Sequence, residues 1–371
     1  MNTGDLTLNF NESVIFKLRS LFSKCGYSQY KMNKFEEYDL YAKNKDFLIS
    51  DSIITFTDTN GKLLALKPDV TLSIIKNSKD DINYTQKVYY NENVYRISKG
   101  SQGFKEIMQV GLECIGKIDN YSISEVLTLA CKSLKAISSE CVLDISPLKI
   151  ITDVFEALSI PSYSQHDILK YISEKNIHEL SALCSELELS NENADVLKTF
   201  VTTSGTPDDV ISSLNKQLKG VIDLNSIKEL SDIIDALDED IKNMIRIDFS
   251  VVSDTHYYNN IVFKGFINGV PTSVLTGGQY DKLLNKMKRK SGAIGFAVYL
   301  DVLDRLGNND CNFDVDMVLV YSDNDDIKSI NKAVSYYTEK GLSVFASSSI
   351  PKEIKYRDII KLSDCEVDFN A

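Results

Sequence analysis

At 371 residues, with 53 acidic against 41 basic side chains and a formal charge of -12, the chain can bury a large core and one or two smaller units. Its charge excludes a nucleic-acid surface unless basic residues collect on one face. No apolar run approaches the roughly 18 to 20 residues of a membrane span, and residues 1–12 lack the basic and apolar regions of a signal peptide, so a cytoplasmic protein is expected.

In chain order, residues 11–22 place Val14, Ile15, Leu18, Leu21 and Phe22 on one face of an amphipathic helix. A strand at 53–57 and the turn Asn60-Gly61 put Phe56 and Leu64 on paired strands. Residues 87–97 and 108–115 are two further strands around the polar loop 98–104, and so short a connection implies antiparallel pairing. The boxes Ser122-x-x-Glu125 and Ser226-x-x-Glu229 each predict a helix start. Between them, from about 147 to 242, the pattern is helical throughout, as in an all-helical insertion. Strands resume at 245–252, 260–268, 271–276 and 293–298, with Asn268-Gly269 as another hairpin turn. The basic run 282–290 (KLLNKMKRK) reads as a solvated face. Past 308–310 a strand at 317–321, a helix at 327–338 and a strand at 342–346 make a small βαβ-like unit. The expected division is a main domain, 1–310, and a C-terminal unit, 311–371.

The seven cysteines (25, 114, 131, 141, 184, 311 and 365) are odd in number and contain no Cys-x-x-Cys pair, so reduced thiols are expected. His166, His178 and His256 have no second ligand at metal spacing, and neither a metal nor a cofactor is expected.

Three blocks carry chemistry. In Leu64-Ala65-Leu66-Lys67-Pro68-Asp69-Val70-Thr71 a strand ends at a proline and presents a carboxylate and a hydroxyl, a pair able to orient an ammonium group and also an ordinary helix N-terminus. Near Val94-Tyr95-Arg96, the run Gln109-Val110-Gly111-Leu112-Glu113 puts a polar stripe with a central glycine on one strand face, suited either to a ligand lying on the sheet or to a solvated edge. The third block is Tyr257-Tyr258-Asn259-Asn260, then Gly277-Gly278-Gln279-Tyr280-Asp281 and Gly292-Ala293-Ile294-Gly295-Phe296, where paired glycines permit close backbone approach and tyrosines offer hydroxyls.

In this order and spacing the blocks, over roughly residues 10–307, resemble histidyl-tRNA synthetases and their catalytically silent relatives, the regulatory subunits of ATP phosphoribosyltransferase. The resemblance implies an α+β fold: a class II aminoacyl-tRNA synthetase-like antiparallel sheet flanked by helices, with a helical insertion and a small C-terminal αβ unit. It implies a histidine pocket in which Asp69 and Thr71 meet the α-amino group, with Gln109 and Glu113 beside them. Tyr258 and Tyr280 would stand at the imidazole end and Arg96 on the carboxylate side, with Tyr257 a further histidine-binding residue.

The departures from the synthetase pattern are selective. Adenylate formation builds negative charge that preorganised arginines meet. Where the family has arginine before its tyrosine pair stands Ser253, and in Tyr299-Leu300-Asp301-Val302-Leu303 its third-block arginine is Val302. Tyr299 replaces a glycine, Ser98 a glutamate and Gln279 an arginine. The tail is short for an anticodon-binding domain and acidic, with Asp323, Asp325, Asp326, Glu353, Asp358, Asp364, Glu366 and Asp368. These features point within the family to a regulatory subunit that catalyses nothing, assembles with a short-form catalytic subunit as a hetero-octamer, forms a homodimer through its core and takes L-histidine as effector, with no tRNA or membrane partner. A histidyl-tRNA synthetase-like enzyme and a free-standing histidine sensor are the alternative readings.

Overall fold

The computed structural model describes residues 8–45, 48, 53–81, 83–97, 103–252, 257–303, 306 and 313–365. The chain forms two compact units, one of residues 11–303 and one of 304–371 with Met1–Phe10.

The larger unit is built on a nine-stranded sheet. Its members in chain order are β1 (Ser28–Gln29), β5 (Gln86–Ile97), β6 (Phe104–Gly116), β7 (Cys141–Pro147), β8 (Ser204–Gly205), β9 (Ile245–Asp248), β10 (Ile261–Ile267), β11 (Leu275–Gln279) and β12 (Gly292–Tyr299), and their spatial order is β1-β5-β6-β12-β11-β10-β7-β9-β8. The intervening β2 (Phe35–Glu37), β3 (Thr55–Thr57) and β4 (Leu63–Leu66) form a separate antiparallel sheet in the order β2-β4-β3, and Phe56 does pair with Leu64. The antiparallel expectation holds for most of the large sheet, while β1–β5 and β7–β9 pair parallel. β7 lies where the sequence predicts no strand; its residues run without a break into a helix, so no turn residue announces it.

Helices cover one face of this sheet. α1 (Phe10–Lys24) buries Val14, Ile15, Leu18 and Phe22, and Phe22 packs against Tyr89 and Phe296 with ring centroids 6.1 and 5.9 Å apart. α2 (Tyr38–Ala42) and α3 (Thr71–Asn77) flank the small sheet and the loop between β4 and β5. α4 (Asn120–Ile137) approaches β10 so closely that a Cβ at Gly265 would meet Leu134 at 2.6 Å. Its cap is Asp119, whose carboxylate accepts from Ser122 N and Oγ, so the helix starts before the predicted box and Ser122 is its partner rather than its cap.

The helical insertion comprises α5 (Leu148–Ala157), α6 (Ser162–Ser173), α7 (Ile177–Glu186), α8 (Asn191–Thr202), α9 (Pro207–Gln217), α10 (Asn225–Asp235) and α11 (Glu239–Lys242). Asn176, Ser190 and Thr206 cap α7, α8 and α9 through side-chain oxygens. The predicted Ser226–Glu229 box does not form, because α10 starts at Asn225 and Ser226 lies inside it, its buried hydroxyl without a partner among the described residues.

The basic run forms α12 (Asp281–Lys286) and the turn after it. Lys282, Lys286, Lys288 and Lys290 are exposed. Arg289 instead turns inward, donating to Ser78 O, Ser78 Oγ and Lys76 O at 2.8–3.1 Å. That places a cation on the free carbonyls at the C-terminal end of α3, a structural role.

The C-terminal unit is a parallel three-stranded sheet, β14 (Val344–Ser347), β13 (Val315–Val320) and β15 (Tyr356–Lys361) in that order, with α13 (Ile327–Glu339) packed on it through Ala333, Ile330 and Val334. The sequence predicts the first two strands and the helix but not β15, whose charged edge pattern hides its pairing.

Candidate functional site

The large sheet's other face carries a cavity of about 120 Å³ lined by Asp69, Thr71, Arg96, Gln109, Glu113, Tyr257, Tyr258 and Tyr280, together with Tyr90, Thr276 and Tyr299. Strand register explains the grouping. Gln109, Gly111 and Glu113 alternate on β6 and lie opposite Tyr299, Ala297 and Gly295 of β12, while Gly111 also faces Tyr90 of β5.

The loop after β4 is clamped to β5. Lys67, 1% exposed, is ion-paired with Glu92. Tyr95 N donates to Lys67 O at 3.0 Å and Arg96 Nε to Pro68 O at 2.8 Å. Asp69 then divides its carboxylate: Oδ1 accepts from Leu72 N at 2.9 Å, steadying the start of α3, and Oδ2 lies 3.9 Å from Arg96 Nη2. Burial raises the Asp69 pKa, with Arg96 opposing it. The helix-start reading of Pro-Asp-x-Thr thus engages one oxygen of this side chain and leaves the other facing Arg96.

Glu113 is the hub. It is 2% exposed, accepts from Thr71 Oγ1 at 2.8 Å and takes a short hydrogen bond from the Tyr280 hydroxyl. Only glycine fits opposite it, since a Cβ on Gly295 would lie 1.8 Å from Glu113 Oε2. Burial pushes the Glu113 pKa up to about 8 against the bonds from Tyr280 and Thr71. Because the folded-state pKa lies above the ordinary 4.5, the neutral carboxyl contributes stability fully below about pH 4.5 and loses it as pH rises through 8. The Tm of the wild type relative to Glu113→Gln is therefore expected to fall between pH 5 and pH 8; a difference constant with pH would contradict this assignment.

Tyr257 packs on Tyr258 and Tyr280 with centroids 4.7 and 5.5 Å away. Tyr258 lies over Gly278, where a Cβ would come within 2.5 Å of its ring. Burial raises the phenol pKa of Tyr90, Tyr257 and Tyr280, keeping them neutral. Gln109, 3% exposed, has an amide nitrogen with no partner among the described residues. A buried unpaired donor lining a cavity is costly unless a ligand accepts from it.

Gln279 accepts from Asn260 at 2.9 Å and donates to Asp281 at 2.6 Å, and Asp281 holds Ala293 N. The loop that the family arginine would serve is thus closed by hydrogen bonds among the amides of Asn260 and Gln279 and the Asp281 carboxylate. Val302 is half-buried in the short turn Leu300–Val302. Ser98, Ser253 and His256 lie outside the described residues. Among the described residues no group of three or more His, Cys, Asp or Glu is placed to hold a metal ion, and no helix is long and apolar enough to cross a membrane. Sequence reasoning missed Tyr90, Thr276 and the Lys67–Glu92 pair, which only strand pairing brings to the site.

The arrangement offers two carboxyls strained by burial for an ammonium, neutral aromatic hydroxyls, and an unpaired amide donor, an outfit for a small amphoteric molecule. A curated relative named ATP phosphoribosyltransferase regulatory subunit, from Alkaliphilus metalliredigens, is 27% identical over 295 residues, covering 77% of this chain and 74% of that protein. Among solved structures, an ATP phosphoribosyltransferase regulatory subunit/histidyl-tRNA synthetase from Bacillus halodurans superposes with TM-score 0.78 at 21% identity, covering 95% of this chain and 93% of that one. A chain of the ATP phosphoribosyl transferase (HisG:HisZ) complex from Thermotoga maritima gives TM-score 0.60 at 18% identity over 77% of this chain and 96% of its own. The family model described as histidyl-tRNA synthetase matches residues 7–303, and the chain belongs to that family.

Proposed function

We propose that this chain is the non-catalytic regulatory subunit of a short-form ATP phosphoribosyltransferase, activating a separate catalytic subunit and contributing to feedback inhibition by histidine in the first step of histidine biosynthesis. The observation that carries this reading is the asymmetry of the pocket. Asp69, Thr71 and Glu113 line one cavity with Gln109 and the three tyrosines, which supports an amino-acid side. In the sequence Val302 and Ser253 stand where the family's adenylation chemistry needs arginines, and Tyr299 stands in the cavity wall. Removing one such charge-stabilising group costs about a hundred- to a thousandfold in rate, so losing two leaves no useful adenylation.

In this role L-histidine places its ammonium between Asp69 and Glu113, drawing both carboxyls toward ionisation, and its imidazole among Tyr257, Tyr258 and Tyr280. Gln109 donates on the carboxylate side. Arg96, held by Pro68 O and Asp69, chiefly fixes the loop. Feedback follows if histidine binds the inhibited state of the complex more tightly, and a coupling of about 1 to 3 kcal/mol suffices. The relatives' printed names support the partnership with a catalytic subunit; the homodimer and hetero-octamer belong to the same proposal. The pure chain is expected to show no histidine-dependent ATP–pyrophosphate exchange and to co-elute with the short-form catalytic subunit of its own organism. Clear exchange turnover would overthrow the reading in favour of a synthetase, and histidine binding by a chain that associates with no catalytic subunit would favour a free-standing sensor.

A further inference from the structure

Among the described residues, a charged side chain on the pocket's face of the sheet has no ion-paired counter-ion. Lys264 of β10 lies opposite Thr276 of β11 on one side and Asp144 of β7 on the other. Directly opposed residues project to the same face, and Thr276 lines the pocket, so Lys264 is one strand beyond the cavity wall on the same face. Its neighbour Gly265 faces helix α4 on the other side, as alternation requires.

Lys264 is half-buried, and among the described residues no hydrogen bond or ion pair engages it. Burial alone accounts for the lowering of its pKa. Asp144, the obvious counter-ion, is raised by burial and Asp248 and compensated by Arg246 and Lys175 instead. Diagonal to Lys264, Ser146 shares the face of Asp144; its hydroxyl is fully buried and has no partner among the described residues. A partly desolvated cation beside an unpaired hydroxyl leaves two polar groups short of an acceptor.

We propose that Lys264, with the hydroxyls of Thr276 and Ser146, forms an oxyanion subsite beside the amino-acid pocket that takes a phosphate group. An ammonium is a compact point charge with three donors, and lysine is an established binder of phosphate groups, as is the arginine of the conservative variant. The inference rests on strand register and goes beyond the histidine reading, so the two fail separately.

The test is calorimetric titration of the full chain with inorganic phosphate, alongside L-histidine. Saturable phosphate binding is expected for the wild type, weakened about tenfold or more in Lys264→Gln and retained in Lys264→Arg. Thr276→Val should weaken it about threefold or more. L-Histidine affinity of Lys264→Gln should match the wild type, which also certifies that the variant is folded. Equal phosphate affinity in wild type and Lys264→Gln, or no saturable binding to the wild type, overturns the proposal. Failure of L-histidine to bind the wild type would count against the pocket and leave the phosphate result standing.

Discussion

Glu113→Ala is expected to lose a hundredfold or more in affinity for L-histidine. Thr71 Oγ1 and the Tyr280 hydroxyl both donate to this carboxylate, so the substitution removes their common acceptor as well as a counter-charge for the ligand's ammonium. A hydrogen bond from the ligand's ammonium to a charged acceptor contributes about 1.5 to 3 kcal/mol, whose upper end corresponds to about a hundredfold in Kd, and releasing the Thr71 and Tyr280 hydroxyls adds to the loss. Glu113→Gln keeps an acceptor oxygen without the charge and should fall between, at about tenfold. Calorimetric titration of the three proteins checks the order; unchanged affinity in Glu113→Ala would remove Glu113 from the pocket.

The second large effect is on folding. At Gly295 an added Cβ would lie 2.3 Å from Leu112 O as well as 1.8 Å from Glu113 Oε2. The side chain can rotate; the carbonyl cannot, because β6 and β12 are paired through that position. The strands must separate, and Gly295→Ala is expected to cost about 3 kcal/mol or more, lowering Tm by several degrees and taking histidine binding with it. Gly269→Ala makes a sharp contrast. That glycine sits in a turn at φ +83° with nothing within 4 Å of a new Cβ, so only backbone strain opposes it, about 1 kcal/mol. A Gly295→Ala protein with wild-type Tm would show that the strands do not meet as described.

How much of this was legible beforehand depended on the distance over which the signal acts. The polar stripe Gln109-x-Gly111-x-Glu113 is local, and period-two alternation alone put it on one face. The Asn60-Gly61 and Asn268-Gly269 turns are likewise local, and both join antiparallel strands, although β11 begins at Leu275, four residues past the expected start, after a loop rather than a tight turn. The boundary of α4 was misplaced because Asp119 and Ser122 both have capping chemistry, and the structure uses the earlier residue as the cap. β7 escaped notice because its apolar residues pass straight into α5. The partners of Glu113 were beyond local reading: Thr71 is 42 positions away and Tyr280 is 167. The requirement for glycine at 295 follows from Glu113 on a neighbouring strand, so it could be seen only once β6 and β12 were in register. The same is true of Lys264, an ordinary alternating residue until Thr276 is placed beside it.

The roles assigned to Asp69 and Arg96 also became clearer. Chemistry alone offered Asp69 as either a helix cap or an ammonium ligand; one oxygen accepts from Leu72 N at the start of α3, and the other lies 3.9 Å from Arg96 Nη2. Arg96 holds the Pro68 carbonyl, which ties pocket geometry to β5 and makes the loop between β4 and α3 a rigid wall.

The central claim is that recognition of histidine resides in this chain while the chemistry belongs to a partner, and it is tested most directly by the phosphoribosyltransferase rate of the short-form catalytic subunit, measured with and without this chain and with and without L-histidine. The account predicts stimulation by the wild-type chain, inhibition of the stimulated rate by histidine, and stimulation with blunted inhibition by Glu113→Ala. A catalytic subunit whose rate is indifferent to the chain would contradict it.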